Sequence, residues 1–180
     1  MDASESRFEL TLLGYQFPDK GKLQDGYDKN WLIVRIDAKN PDGSWSAVDS
    51  ALLTWDVAAI ARWFRALSMK RPVRQLVDFT EIHLRFGCRS RTSDPVKMRI
   101  DVAYKFCPPW GRSVIVSGPY YGLDLDLSRK QLAVAAKELE IQLREFPPRD
   151  MGRLRLHDAI WCLTSRRNEL RRWRPRRRRD

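Results

Sequence analysis

Between residues 96 and 106 the chain reads VKMRIDVAYKF, and no other stretch restricts the fold as tightly. Val96, Met98, Ile100, Val102, Tyr104 and Phe106 alternate with Lys97, Arg99, Asp101 and Lys105. Successive side chains of a strand point to opposite faces, so this period of two predicts a strand with one face on a core and the other in water. Half-wet strands belong to antiparallel sheets, because parallel strands are covered on both faces and read as unbroken apolar runs. The same period recurs at Ile82, Leu84, Phe86 and Cys88 in EIHLRFGC and at Leu123, Leu125 and Leu127 in GLDLDL.

Three earlier runs, RFELTLL, NWLIVRIDA and SWSAVDSALL, are rich in β-branched or aromatic residues, and NPDG at 40–43 suits a hairpin turn between the last two. Two helices interrupt the strands. In TWDVAAIARWFRALSMK, predicted helical over about 55–69, Val57, Ile60, Phe64 and Leu67 share a stripe, Thr54 is the expected N-cap and an acid sits in the first turn. In SRKQLAVAAKELEIQLREF, predicted helical over about 129–145, the stripe is Leu132, Ala136, Leu139, Leu143 and Phe146, with a Ser128/Gln131 capping box and a stop at Pro147 and Pro148. Strands and helices do not alternate as βαβ units. The expectation is therefore an α+β fold: an antiparallel meandering sheet with two main helices packed on one face, burying Ile100, Val102 and Leu139.

Composition changes after Pro148. Residues 1–148 hold 22 Lys and Arg against 19 Asp and Glu, a balance of +3, whereas residues 149–180 hold 12 Arg against 4 acids, a balance of +8. The reading is an α+β domain over 1–148 and a basic, Arg-rich C-terminal extension over 149–180, partly helical and then disordered. A third helical stripe would place Leu156, Ile160 and Leu163 inward until it breaks at Arg167, and nothing from Arg174 onward has an apolar partner to bury.

Candidate chemistry is sparse. The start MDASESRFELTLLG lacks a basic region followed by an apolar one, and no apolar run reaches 18 residues, so the expectation is a cytoplasmic protein with no membrane partner. Cys88, Cys107 and Cys162 are odd in number and far apart, which fits reduced thiols better than a disulfide framework. There is no Gly-rich phosphate loop, GxSxG, HExxH or paired CxxC, so no catalytic residue, cofactor or metal is expected. His83 reads as a satisfied surface imidazole beside Arg85, and Asp124 and Asp126 as a solvated strand face rather than paired acids. FCPPWGR at 106–112 reads as a stiff loop that tucks Trp110 over the core edge. The expectation is a non-catalytic binding protein.

One stretch is more specific. In DGYDKNWL, residues 25–32, Asp25, Asp28 and Asn30 are placed to bond their own backbone and shape a turn, while Trp31 starts a strand. Together with LTWD at the entry to the first helix, LSRKQL at the entry to the second and the closing FPPR, it resembles the D-x-x-D-x-N-W-L signature of the WapI-type bacterial immunity proteins, over roughly residues 7–149. The resemblance implies a protein toxin, delivered by neighbouring cells, that the chain neutralises by binding. Candidate contacts are then Asp25, Tyr27, Asp28 and Asn30 in the turn and Arg99 and Asp101 on the strand face. Inhibitors of basic nucleases present acidic surfaces, so a domain at +3 calls for a local acidic patch around Asp25 and Asp28 or for a toxin of another kind. The alternative partner is nucleic acid, gripped without sequence preference by Arg166, Arg167, Arg171, Arg172, Arg174, Arg176, Arg177, Arg178 and Arg179. A third account makes the Lys-free Arg run a product of GC-rich coding.

Overall fold

Seven strands, every pair antiparallel, form two sheets in a computed structural model that describes residues 6–18, 26–111 and 120–149. Strands β1 (Arg7–Tyr15), β2 (Trp31–Asn40) and β3 (Gly43–Leu53) make the first in that order. The second runs β4 (Leu76–Val77), β5 (Leu84–Ser90), β6 (Val96–Ala103) and β7 (Tyr120–Leu127). Helix α1 (Thr54–Ser68) separates the sheets in sequence and α2 (Arg129–Glu145) follows them, each within a residue of its predicted bounds. The α+β class holds. The meander is divided into two antiparallel sheets, β1–β3 and β4–β7, and β6 ends at Ala103 in a 3-10 turn, Tyr104–Phe106, which lies against β3. Across this break the indole Nε1 of Trp45 in β3 donates to the Phe106 carbonyl at 2.9 Å.

Both sheets and both helices close around one core. Ile100, Val102 and Leu139 are buried as expected, with Leu32, Val34 and Ile36 from β2, Val57, Ile60 and Leu67 from α1 and Leu132 and Ala136 from α2. Phe86 is the shared hub: Phe8 of β1, Phe64 of α1 and Phe79 each meet its ring edge-on, at 6.1, 5.9 and 6.1 Å between centroids. Trp110 tucks over the core edge as its loop suggested, edge-on to Trp45 at 5.8 Å. There it lies against Gly43, where φ is +151° and a Cβ would stand 2.8 Å from the indole, so the hairpin turn at this point requires glycine. Two alternation readings fail at the strand ends: Ile82 and Tyr104 are exposed, because β5 begins only at Leu84 and β6 has already ended at Ala103.

The helix ends also differ in part from the sequence reading. Ser128 and Gln131 form the expected box, the Ser128 amide donating to Gln131 Oε1 at 2.9 Å and the Gln131 amide to Ser128 Oγ at 3.3 Å. At α1, however, Leu53 takes the N-cap position and Asp56 reaches back to accept from its amide at 3.0 Å. Thr54 is thereby released, as the first helical residue, to donate its hydroxyl to Asn30 at 3.1 Å. The far end of α1 closes with Lys70 at φ +56°, its amide on the Leu67 carbonyl and that of Arg71 on Ala66, a Schellman arrangement that usually employs glycine. Helix α2 meanwhile covers the open edge of β1: the Leu12 amide donates to Gln142 Oε1 at 2.7 Å, and Gln142 Nε2 donates to the Leu10 carbonyl at 3.3 Å.

Asn30 ties three distant parts of the chain. It is 0% exposed. Its Nδ2 donates to the carbonyls of Gly26 (2.6 Å) and Arg149 (2.8 Å), while its Oδ1 accepts from Thr54 Oγ1 and from the Arg149 amide (2.7 Å). Arg149 adds a second clasp: its guanidinium lies 3.3 Å from the Tyr15 ring centroid and donates to the Phe17 carbonyl at 2.8 Å. The Tyr15 hydroxyl donates in turn to the Pro147 carbonyl. Burial raises the Tyr15 pKa and the Arg149 charge only partly offsets this. Removing a buried amide that satisfies four groups leaves those groups without partners, at about 1–3 kcal/mol for each one that water cannot reach. Asn30→Ala is therefore expected to lower unfolding free energy by about 2–4 kcal/mol in urea titration. A chain ending at Arg149 is expected to keep its thermal midpoint, whereas one ending at Phe146 should lose several degrees.

Candidate functional site

The predicted contact residues separate into three groups. Asp25 and the tail arginines from Arg166 to Arg179 lie outside the described residues, as do His157, Cys162 and the third helical stripe. Tyr27, Asp28 and Asn30 form the signature turn. Arg99 and Asp101 lie on the outward face of β6.

Within the turn, the Asn30 amide is fully engaged in holding the fold together. Tyr27 packs edge-on against Trp55 and Trp31, at 5.1 and 6.2 Å between centroids, and its hydroxyl lies 2.8 Å from Thr80 Oγ1. Asp28 opens the 3-10 turn Asp28–Asn30, and its carboxylate has no hydrogen bond or ion pair with the described residues. The Tyr27–Thr80 contact brings this turn alongside the segment that leads into β5 through Glu81 and His83.

On the outward face of the second sheet the register sets charged side chains in line. Arg85 faces Asp101 across the β5–β6 ladder, Arg99 faces Asp124 and Lys97 faces Asp126 across β6–β7. Asp101 is the centre, with its side chain only 10% exposed. It accepts from Arg85 Nη2 at 2.6 Å and Nε at 3.1 Å, and from Arg99 Nε at 2.7 Å. Arg99 continues to Asp124 at 3.3 Å, Asp124 pairs with Arg89 at 3.2 Å, and Lys97 closes on Asp126. Burial acts to lower the Arg99 pKa, but the hydrogen bond and charge of Asp101, followed by those of Asp124, outweigh it and leave it raised. Asp124 and Asp126 do lie on the outward strand face as expected, Asp124 with its side chain 45% exposed, and each is paired there with cations. The Arg85 guanidinium also covers the Tyr120 ring at 4.0 Å. Beside this lattice an open depression is lined by Gln75, Leu76, Gly87, Cys88, Arg89 and Arg99.

Gly122 is the site residue that the sequence reading passed over. It stands opposite Asp101 in β7, and a Cβ there would lie 1.8 Å from Arg99 Nη2. The missing side chain is the seat of the Arg99 guanidinium. A glycine inside an alternating strand was the available signal, since it marks close approach of another group.

His83 is not the satisfied surface imidazole expected. It is 18% exposed, because the 3-10 turn brings the rings of Tyr104 and Phe106 to 5.3 and 6.1 Å from it. Carboxylates flank it, Asp49 at 3.9 Å from Nε2 and Glu81 at 3.8 Å from Nδ1, and Lys105 pairs with Asp49 at 3.1 Å. Cys88 and Cys107 are buried, reduced thiols, and Cys107 Sγ donates to the Val102 carbonyl at 3.5 Å. Burial raises the Cys88 pKa against the opposing charges of Arg129 and Arg91, so the thiol form prevails at neutral pH. Among the described residues no group of three His, Cys, Asp or Glu is placed to hold a metal, and no helix is long and apolar enough to cross a membrane.

The lattice is testable by coupling. Gly122→Ala should displace the Arg99 guanidinium and cost about 1–2 kcal/mol in urea unfolding, a figure kept low because these groups are partly solvated. In an Arg99→Ala background the same change should fall within about 0.5 kcal/mol of neutral. Equal costs in both backgrounds would show that the glycine serves some other end.

The model of the immunity protein WapI-like family matches residues 1–147. Comparison with curated proteins finds no match. Comparison with solved structures finds none either.

Proposed function

The chain belongs to the WapI-like immunity protein family, and from that premise we propose that it neutralises a toxin protein by binding it, without catalysis of its own. The observation that carries this reading is the extent of the match, which spans both sheets and both helices and ends before the Arg-rich extension. Binding needs a rigid platform, and the outward face of β5–β7 is one. Its charged side chains are held in one arrangement by their neighbours, so little rotamer freedom remains to be lost on association. We assign the contact to this face, with Arg99, Asp101 and Asp124 within it and Tyr27 and Asp28 beside its Glu81 end. Charged lattices of this kind discriminate between partners, because a mismatched surface would bring like charges together or leave a desolvated charge unpaired.

The extension is then an appendage to the domain. A chain ending at Arg149 should protect cells that produce a cognate toxin domain, and should co-elute with that domain in size-exclusion chromatography, as the full chain should. Protection that required Arg174 to Arg179, with affinity for duplex DNA falling steeply between about 50 and 200 mM salt, would move the function to the extension and to nucleic acid.

A further inference from the structure

We infer that the partner anchors itself at Tyr104, where a cationic side chain of the toxin stacks on the exposed ring and pairs with Glu81. This rests on the binding function proposed above and names the chemistry at one end of the same face.

Three features of Tyr104 converge. It is 54% exposed, although the alternation of its strand would have buried it. Its φ is +54°, a left-handed conformation that a residue with a bulky side chain seldom adopts and that must be held by its surroundings. Its ring rests on His83, which also contacts Glu81 at 3.8 Å, so an aromatic face and a carboxylate share one support. Strain kept at an exposed aromatic on a conformationally fixed turn is the pattern expected where recognition, rather than stability, selects the residue.

The kind of partner follows from what two of the chain's four other tyrosines hold. The Tyr120 ring carries the guanidinium of Arg85, which Asp101 holds, and the Tyr15 ring carries that of Arg149. Tyr104 and Glu81, both against His83, supply a ring and a carboxylate, yet no Arg or Lys side chain of the described residues lies over the ring. Lys105, next in sequence, is turned to Asp49 instead. A guanidinium or ammonium from outside fits the position, drawn by the ring quadrupole and the carboxylate together. The surroundings suit a cation as well: Asp49 and Glu81 outnumber Lys105, although the domain as a whole is positive. The seat adjoins the charged lattice through the backbone, because the Ala103 amide, next to Tyr104, donates to the carbonyl of His83, two residues before Arg85.

The test separates recognition from stability. Tyr104→Gly relieves the left-handed strain, and Lys70→Gly does the same at the end of α1, so both variants should melt at or above the parent midpoint. By calorimetric titration with a cognate toxin domain, one that the parent chain binds and neutralises, Tyr104→Gly should weaken binding about tenfold or more while Lys70→Gly leaves it unchanged. Glu81→Gln should weaken it severalfold and flatten its dependence on salt. Parent-like affinity in Tyr104→Gly, with the parent chain binding normally, overturns the anchor and leaves the binding function standing. No binding by the parent chain overturns both. A lowered midpoint in Tyr104→Gly would show that the ring serves the fold and also overturns the anchor.

Discussion

The fold depends on how one buried primary amide is satisfied. Asn30 sits between a turn, a helix entry and the stretch of chain that leaves α2, and it supplies each with a hydrogen bond that water cannot supply there. Those three segments are far apart in sequence, so the amide converts three local structures into one closed corner. The motifs that carried the family resemblance meet here: the asparagine of NWL, the threonine of LTWD and the arginine of FPPR. Their chemistry is that of assembly. A signature of this kind marks the fold, and a fold by itself does not fix a function.

What the sequence disclosed and what it withheld divide along the range of the interactions. The alternation at Val96 to Val102, the helical stripes and the Ser128/Gln131 box depend on neighbours within a few residues, and all were legible. Thr54 misled because two residues competed to cap the same helix end. Asp56 reaches the Leu53 amide, and the threonine hydroxyl goes to a partner 24 positions away. The left-handed Tyr104 was hidden because its strand ends at Ala103, three residues before the alternation does at Phe106. The site lattice was hidden for another reason, since a sequence shows Arg99, Asp101 and Asp124 as charges on strands but does not give the register that aligns them.

The face assigned to the partner is an unusual kind of charged surface. Nearly every ion on it is matched within the chain, so its charges act less as attractors at long range than as a fixed mosaic read at contact. Pairs of this type, partly open to solvent, stabilise a protein only weakly. They do hold side chains still, and a still surface loses less entropy when another protein settles on it.

Gln142 has a consequence of a different order. A terminal strand normally offers a row of open peptide groups to any extended chain that passes, which is how sheets grow from one molecule to the next. By presenting a carboxamide to Leu12 and Leu10, α2 imitates one peptide unit of a neighbouring strand and occupies the middle of that row. A stray strand therefore meets a gap in the ladder where it would need its central bonds. The helix that completes the core thus also guards the sheet against growth into fibres at this edge.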